Sequence, residues 1–339
     1  MTILVTGGCG YIGAHVSVRL LESGFDVLIV DDFSNARRDV PARIAAIAGR
    51  RPIVAEADVN DLRGLRAAMQ GRRIEGVVHL AGRKAVAESV TQPLRYYRTN
   101  VLGTLNVREA AGACPFVFSS SATVYGRPEK CPLDEASPTN PANPYGASKL
   151  MAERVLLDAA SADRVRSLSI LRYFNPVGAH PSGTLGDDPT GVPQNLMPRI
   201  ERVAVGIEHA LLVHGRDYET RDGTAIRDYV HVQDLADAHV AALRYRGVEP
   251  LVVNLGSATG ATVLEVVSAF ERATGRKVPL KFGPRRAGDV PALWASVDRA
   301  REFLGWAAVR TLDDACVDAL RWRRHALDRR LDASVAAEV

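Results

Sequence analysis

Short apolar runs and helix-period segments alternate through the first half of the chain. "TILVT" (2–6), "DVLIVDD" (26–32), "PIVAEADV" (52–59), "GVVHLAG" (76–82), "PFVFSSS" (115–121) and "SLSILRYFN" (167–175) are β-rich and apolar at successive positions. A strand with one wet face alternates apolar and polar residues, whereas a strand covered on both sides reads as these do. Between the runs stand amphipathic stretches such as "IGAHVSVRLLESG" (12–24). The pattern predicts an α/β fold, a Rossmann-type doubly wound parallel sheet with crossover helices.

The texture changes near residue 176. "NPVGAHPSGTLGDDPTGVPQN" (175–195) is dense in Gly, Pro, Asp and Asn, too long for an ordinary connection, and reads as a functional loop. "VHVQDLADAHVAALRY" (230–245) returns to helix and "PLVVNLGS" (250–257) to strand, before short elements and an Arg-rich loop. The expected division is a large domain of residues 1–175 plus roughly 225–260, and a smaller C-terminal α/β domain of 176–224 and 261–339.

Composition narrows the classes. With 339 residues, 47% of them hydrophobic, the chain has ample core for a globular protein. The balance of 43 basic against 39 acidic residues leaves no nucleic-acid footprint, and the basic run "RWRRHALDRR" (321–330) reads as a solvated helix. No run is long enough to cross a bilayer, and no signal-peptide pattern opens the chain. Cys9, Cys114, Cys131 and Cys316 show no C-x-x-C spacing, so no metal site is expected and reduced thiols of a cytoplasmic protein are.

"TGGCGYIG" (6–13) lies between the first strand and the first helix. Gly7, Gly10 and Gly13 would let the backbone turn tightly and approach a pyrophosphate at the helix N-terminus. Asp31 closes the second strand 18 residues after Gly13, where a carboxylate accepts from a ribose 2′-OH and repels a 2′-phosphate. NAD is therefore expected rather than NADP, although Arg37 and Arg38 lie nearby. Asp58, after the third run, is placed either to meet the adenine edge or to cap a helix.

The reactive end is "NPYGASK" (143–149). Asn-Pro starts a helix, which sets Tyr145 in its first turn and Lys149 one turn later on the same face. Ser119, Ser120 and Ser121 end an apolar strand. Ionising a phenol at neutral pH requires a shift of about three units from its usual pKa of about 10, worth roughly 4 kcal/mol. The helix N-terminus, the ammonium and a nicotinamide cation all push that way, making Tyr145 a candidate general base for a sugar hydroxyl. Only five lysines stand against 38 arginines, and two of the five are Lys149 and Lys84, the latter beside the "HLAG" strand end. A compact ammonium bonding two ribose hydroxyls is not replaceable by a guanidinium.

TGGxGYIG, SSSATVYG, PYGxSK, LRYFNPVGAHPSG, GTxxRDYxHVxDLA and RRxGDxPA together resemble the UDP-glucose 4-epimerases, a family of extended short-chain dehydrogenases/reductases, over about residues 1–325. The resemblance implies tightly held NAD, a UDP-hexose substrate and a homodimer paired through helices of the NAD-binding domain. It implies that Tyr145 removes the 4-OH proton while hydride passes to NAD, that Ser121 bonds the substrate and relays the proton, and that Lys149 holds the nicotinamide ribose. Cofactor contacts are implied at Tyr11 and Ile12 in the glycine turn, at Asp32, Phe33, Ser34 and Asn35 after Asp31, and at Val59 beside Asp58. Leu80, Ala81, Gly82, Lys84, Asn100, Tyr173 and Phe174 complete that set.

On the substrate side, Asn175, Asn195, Arg227, Arg286 and Asp289 match positions that hold UDP, the arginines on phosphate. Lys84, Ala122, Thr123, Leu196, Leu212 and Val213 are further implied contacts. Two departures stand out. His214 replaces a usual aromatic, and Leu293 replaces a large tyrosine found in epimerases restricted to plain hexoses, which implies limited turnover of UDP-N-acetylhexosamines. Three alternatives remain: a UDP-pentose 4-epimerase, a nucleotide-sugar 4,6-dehydratase, and a non-catalytic NAD-binding regulator. The dehydratases place Asp-Glu after the active-site hydroxyl, where this chain has Ala122-Thr123.

Overall fold

The computed structural model describes residues 1–163, 167–189, 191, 193–286 and 289–337. Positions 190 and 192 of the long loop, and 287 and 288 of the RRxGDxPA motif, lie outside the described residues. Thirteen strands occur among them. In chain order they are β1 Thr2–Thr6, β2 Asp26–Asp31, β3 Ile53–Glu56, β4 Ile74–His79, β5 Phe116–Ser121, β6 Leu168–Tyr173 and β7 Asn175–Val177. There follow β8 Leu211–His214, β9 Ile226–His231, β10 Leu251–Leu255, β11 Gly260–Thr262, β12 Leu280–Gly283 and β13 Ala292–Leu293.

Seven of these form one parallel sheet in the order β10-β6-β5-β4-β1-β2-β3. The alternation of side chains along each strand fills two separate cores. Ile3, Val5, Val27, Ile29 and Val78 bury on one face with Val16, Leu20, Leu235 and Val240, which come from the helices Tyr11–Glu22 and Val232–Arg244. Leu4, Leu28, Val30, Val77, Phe116 and Phe118 bury on the other with Leu65, Val107 and Leu156, from Leu62–Met69, Gly103–Ala111 and Pro144–Asp163. This is the doubly wound sheet that the continuous apolar runs require.

The chain order reverses between β1 and β4, where Thr6 pairs with His79 at the carboxyl ends of both strands. Such a reversal leaves a crevice between the loops that follow the two strands, the usual ligand seat in an open α/β sheet. β10 returns from late in the sequence to the sheet edge beside β6, Leu255 opposite Tyr173.

A third core holds the smaller lobe, with Val177, Ile200, Val213, Tyr229, Phe270, Cys316 and Leu320. Its strands are β11, β9 and β13, with β7 pairing β9, and the two-stranded β8–β12 ribbon. The C-terminal basic run is helical, within Leu312–Ala337, but only half of its face is wet: Trp322, Arg323 and Ala326 are buried. Among the described residues no helix is long and apolar enough to cross a membrane.

Two boundaries differ from the sequence reading. The third strand stops at Glu56 because it is an edge strand, paired only to β2, with Ile53 and Val54 partly exposed. Asp58 therefore lies beyond it, where its Oδ1 accepts from Asn60 N at 2.9 Å, and the next helix is capped instead by Asp61. The fourth strand ends at His79, which leaves Leu80, Ala81 and Gly82 in the turn over the crevice.

Candidate active site

The glycine turn follows β1. Gly7 has φ +68° and any Cβ on it would fall 2.7 Å from Ala81 N; one on Gly13 would fall 2.1 Å from Gly7 O. Both are required by the protein's own backbone. Gly10 is different: a Cβ there meets only Gly7 O, at 3.4 Å. Gly10 is also the N-cap of Tyr11–Glu22 and offers no side-chain cap, so the first amides of that helix are left to a ligand.

Asp31 is buried behind this turn. Its Oδ2 accepts from Cys9 N at 2.9 Å and its Oδ1 from Phe33 N at 3.0 Å, while burial pushes the carboxyl above its ordinary range. Asp32 accepts from Ser34 N at 2.9 Å and from its hydroxyl at 2.6 Å, which shapes the loop beyond. The two arginines near the site of a 2′-phosphate are committed to carboxylates. Arg38 forms a bidentate pair with Glu56 and lies over the Phe33 ring, and Arg37 pairs with Asp188. A cleft beside the turn brings Gly10, Tyr11, Asn35 and Lys84 together with Gly186–Pro189 of the long loop. Tyr11 donates to Gly178 O at 2.7 Å, and Lys84 Nζ lies 6.0 Å from the Tyr11 ring centre. An uncapped helix start, open space at Gly10 and an acidic residue at the second strand end suit a dinucleotide without a 2′-phosphate.

The floor of the crevice is a hydrogen-bonded stack. Thr6 Oγ1 and His79 Nδ1 are 2.6 Å apart, and His79 Nε2 is 2.9 Å from Thr104 Oγ1. Burial, and then the charge of Lys149, pulls His79 down to about 3, so the ring is neutral. Asn100 is buried; its amide bonds Arg83 N, Arg83 O and Ser148 Oγ, and Gly82 lies so close that a Cβ would fall 2.9 Å from Asn100 Oδ1. Val59, in the core opposite, accepts from Asn106 Nδ2 through its carbonyl, and its side chain is fully packed. Ile12, Leu80 and Ala81 are partly buried against the two cores.

Tyr145 and Lys149 stand as the spacing requires. Asn143 Oδ1 accepts from Gly146 N at 3.0 Å, which starts the helix Pro144–Asp163. Lys149 donates to Ser119 O at 2.7 Å and lies 4.9 Å from the Phe118 ring centre. Burial lowers it to about 8, against the pull of Glu153. Ser121 bonds the Tyr145 hydroxyl and accepts from Thr123 N and Thr123 Oγ1, at 3.3 and 3.0 Å; Ala122 beside it is buried.

Within the protein alone, burial raises the Tyr145 phenol and the Ser121 hydrogen bond opposes that in part. The Lys149 ammonium, one helix turn on, donates to the Ser119 carbonyl. Tyr173 is buried with its hydroxyl on His239 Nε2, and Phe174 is held by its N–H on Leu255 O at 3.1 Å.

The substrate candidates gather on the smaller lobe. Arg227 pairs in register with Leu293 and forms an ion pair with Asp289. Asn175 pairs with Tyr229 on the neighbouring strand. Asn195 is an exposed N-cap of Leu196–Ala204 that makes no cap bond, and Arg286 is exposed. Leu212 and His214 show outward on β8, and His214 Nδ1 is 3.2 Å from Pro284 O; Val213 points into the third core, so only its backbone faces the lobe's surface. Among the described residues no cluster of three or more metal-ligating side chains occurs.

Residues that sequence reasoning did not nominate also belong here. Tyr96 presents its ring edge-on to Tyr145, at 6.4 Å between centres, with its hydroxyl on Ala85 O and Glu88. Glu153 and Arg172 lie behind Lys149. For Glu153 a signal existed: it repeats the four-residue spacing of Tyr145 and Lys149.

Comparison with known proteins gives the following. The family described as "NAD dependent epimerase/dehydratase family" matches residues 3–256. A UDP-glucose 4-epimerase of Bacillus subtilis (strain 168) is 47% identical over 328 residues, covering 95% of this chain and 97% of the relative. A UDP-glucose 4-epimerase from Stenotrophomonas maltophila, solved with NAD and formylated UDP-arabinopyranose, superposes with a TM-score of 0.94 at 44% identity, covering 97% and 99% of the two chains. One from Bifidobacterium longum, solved with NAD+ and UDP, gives 0.92 at 43%, covering 96% and 98%.

Proposed function

We infer, since this chain belongs to the NAD dependent epimerase/dehydratase family, that it interconverts UDP-glucose and UDP-galactose by NAD-dependent, transient oxidation at C4. The observation that carries the reading is the join of an uncapped glycine turn to a part-buried Ser121–Tyr145–Lys149 group across one crevice. Held by the glycine turn, Asp31 and Lys149, NAD would supply the hydride acceptor for C4, and its oxidised ring would add positive charge beside the phenol. Tyr145 removes the C4 hydroxyl proton and later gives it back, and Ser121 holds that hydroxyl and relays the proton. Lys149 holds the nicotinamide ribose. Asp31 takes the adenine-side ribose. Arg227 and Arg286 hold the diphosphate with Asn175 and Asn195, so the sugar itself is free to turn over between the two transfers.

In this proposal the division is an NAD-binding unit of residues 1–175 with about 225–260, and a nucleotide-sugar unit from the remainder. The protein works in the cytoplasm as a homodimer. Elimination, the dehydratase alternative, lacks its acid: Ala122 and Thr123 replace the carboxylates, and Thr123 instead donates to Ser121. A pentose substrate is the second reading, supported by the arabinopyranose derivative held by the relative from Stenotrophomonas maltophila. Leu293, smaller than a tyrosine and beside Arg227, leaves room for limited UDP-N-acetylhexosamine turnover.

The test is a coupled assay with UDP-galactose, UDP-N-acetylgalactosamine and UDP-arabinose, on wild type and Tyr145→Phe. Wild type turns over UDP-galactose fastest, with weak activity on the N-acetyl sugar, and the variant loses at least about 1,000-fold. Equal turnover by Tyr145→Phe would end the catalytic reading; a dominant pentose activity would replace the substrate.

A further inference from the structure

Glu153 lies one turn beyond Lys149 and two beyond Tyr145 on Pro144–Asp163, and it is 2% exposed. Three consecutive residues closing β5 meet these three turns. Ser121 bonds the Tyr145 hydroxyl, Ser119 O accepts from Lys149 Nζ, and the Ser120 hydroxyl donates to Glu153 Oε1. From β6, Arg172 grips the same carboxylate twice, Nε to Oε1 at 3.0 Å and Nη2 to Oε2 at 2.7 Å. Arg172 then donates to Tyr125 Oη at 3.0 Å, and Tyr125 to Asn254 Oδ1 at 2.7 Å. A fully buried ion pair adds little to stability, because desolving both charges roughly cancels their attraction. Its place behind the reactive tyrosine calls for another reason.

The groups that face Lys149 supply one. His79 on β4, neutral, feels its charge, and the Glu153 carboxylate acts from its own helix; beyond these, Arg172 of β6 pairs with Glu153, and the Tyr173 phenol acts on Tyr145. Glu153 is the anion of this set. Burial draws the Lys149 ammonium down to about 8, and Glu153 is the charge that holds it up. Arg172 grips that carboxylate through both oxygens, and although burial works against its charge, the pair holds the arginine more firmly protonated still.

We propose that the buried Glu153–Arg172 pair, anchored by Ser120, positions Lys149 and keeps it an ammonium, which makes Glu153 a positioning residue for proton transfer at Tyr145. The proposal rests on Tyr145 being the base. With Glu153 neutralised, Arg172 and Lys149 both lose the carboxylate that compensates them. Lys149 sheds its proton nearer neutrality, and the phenol loses the positive charge that favours its ionisation, so it titrates at higher pH.

The experiment is a pH profile of kcat for the holoenzyme, with near-ultraviolet titration of the phenolate referenced to Tyr145→Phe. Glu153→Gln moves the acid limb and the phenolate step up together by about one pH unit, which is about tenfold in turnover at neutral pH, with rates converging on wild type at high pH. Glu153→Asp keeps the wild-type limb. Arg172→Gln leaves the carboxylate unneutralised, so its limb does not move up; should that variant fail to fold, Glu153→Gln/Arg172→Gln, with neither charge, gives a limb between wild type and Glu153→Gln. An unmoved limb in Glu153→Gln, or one factor of loss at every pH, overturns the proposal. If Tyr145→Phe is inactive while the Glu153→Gln limb stays put, only the Glu153 assignment falls. If Tyr145→Phe remains fully active, the base assignment falls as well.

Discussion

Three glycines that look alike in the sequence have different reasons to be glycine. Gly7 and Gly13 are fixed by the backbone they touch; Gly10 has room on the protein side. Gly13→Ala therefore strikes Gly7 O and is expected to cost about 3 kcal/mol or more, read as a lowered midpoint of thermal unfolding. Gly10→Ala, at φ −71°, costs about 1 kcal/mol or less, yet it weakens NAD binding at least tenfold in a fluorescence titration. Equal loss of stability by both variants would contradict this assignment of roles. Spacing could nominate all three positions, but not sort them, because the sorting depends on Ala81 N meeting Gly7 and Gly7 O meeting Gly13 in space. Tyr145 and Lys149 were legible for the opposite reason: one helix turn relates them, and the sequence carries that geometry itself. The phenol's environment was not legible. The spacing places an ammonium one turn from the phenol, but it shows neither that Lys149 donates to the Ser119 carbonyl nor that burial raises Tyr145.

A reactive group in the first turn of a helix inherits the accuracy of that helix's start. The Asn143 cap fixes where Pro144–Asp163 begins, and with it the angle at which Tyr145 meets Ser121. Asn143→Ala is expected to lower stability by about 1 kcal/mol and kcat several-fold, with UDP affinity unchanged in a calorimetric titration. A variant that loses stability but keeps full kcat would show that the rest of the helix, not its cap, aims the tyrosine. Among elements, the long central strands were legible because both faces are buried and the apolar run is unbroken. The smaller lobe was not: β8 and β12 have four residues each and β13 only two, too short for any period to show. Those strands nonetheless carry Leu212, His214 and Leu293, so the substrate half of the site rested on resemblance, while the cofactor half could be read from pattern.

At the scale of the molecule, one of the two helical layers that cover the sheet is apolar on its outer side as well. The layer of Pro144–Asp163 and Gly103–Ala111 buries Leu156 and Val107 inward, yet outward, with the helices Val86–Thr91 and Pro93–Tyr97 packed beside them, it shows large apolar side chains to solvent. Val86, Val90, Leu94, Leu105 and Met151 are all at least 43% exposed, and Leu94 is 79% exposed. Scattered apolar residues are ordinary on a surface, but a group on adjoining helices marks a face that another protein covers. The proposed homodimer gives that face a partner of the same kind, and a two-fold axis lets each copy present the same residues. The same helix then has two duties, since its inner face carries Tyr145, Lys149 and Glu153 while its outer face carries Met151. Light scattering on the purified protein is expected to give twice the 36.6 kDa chain mass, and Leu94→Glu/Leu105→Glu to shift it to the single chain. Because the inner and outer faces share one helix, that dissociated variant is expected to lose turnover several-fold with the reactive residues untouched. A wild type of single-chain mass would remove the dimer, and a charged variant that stays dimeric would move the interface elsewhere on the molecule.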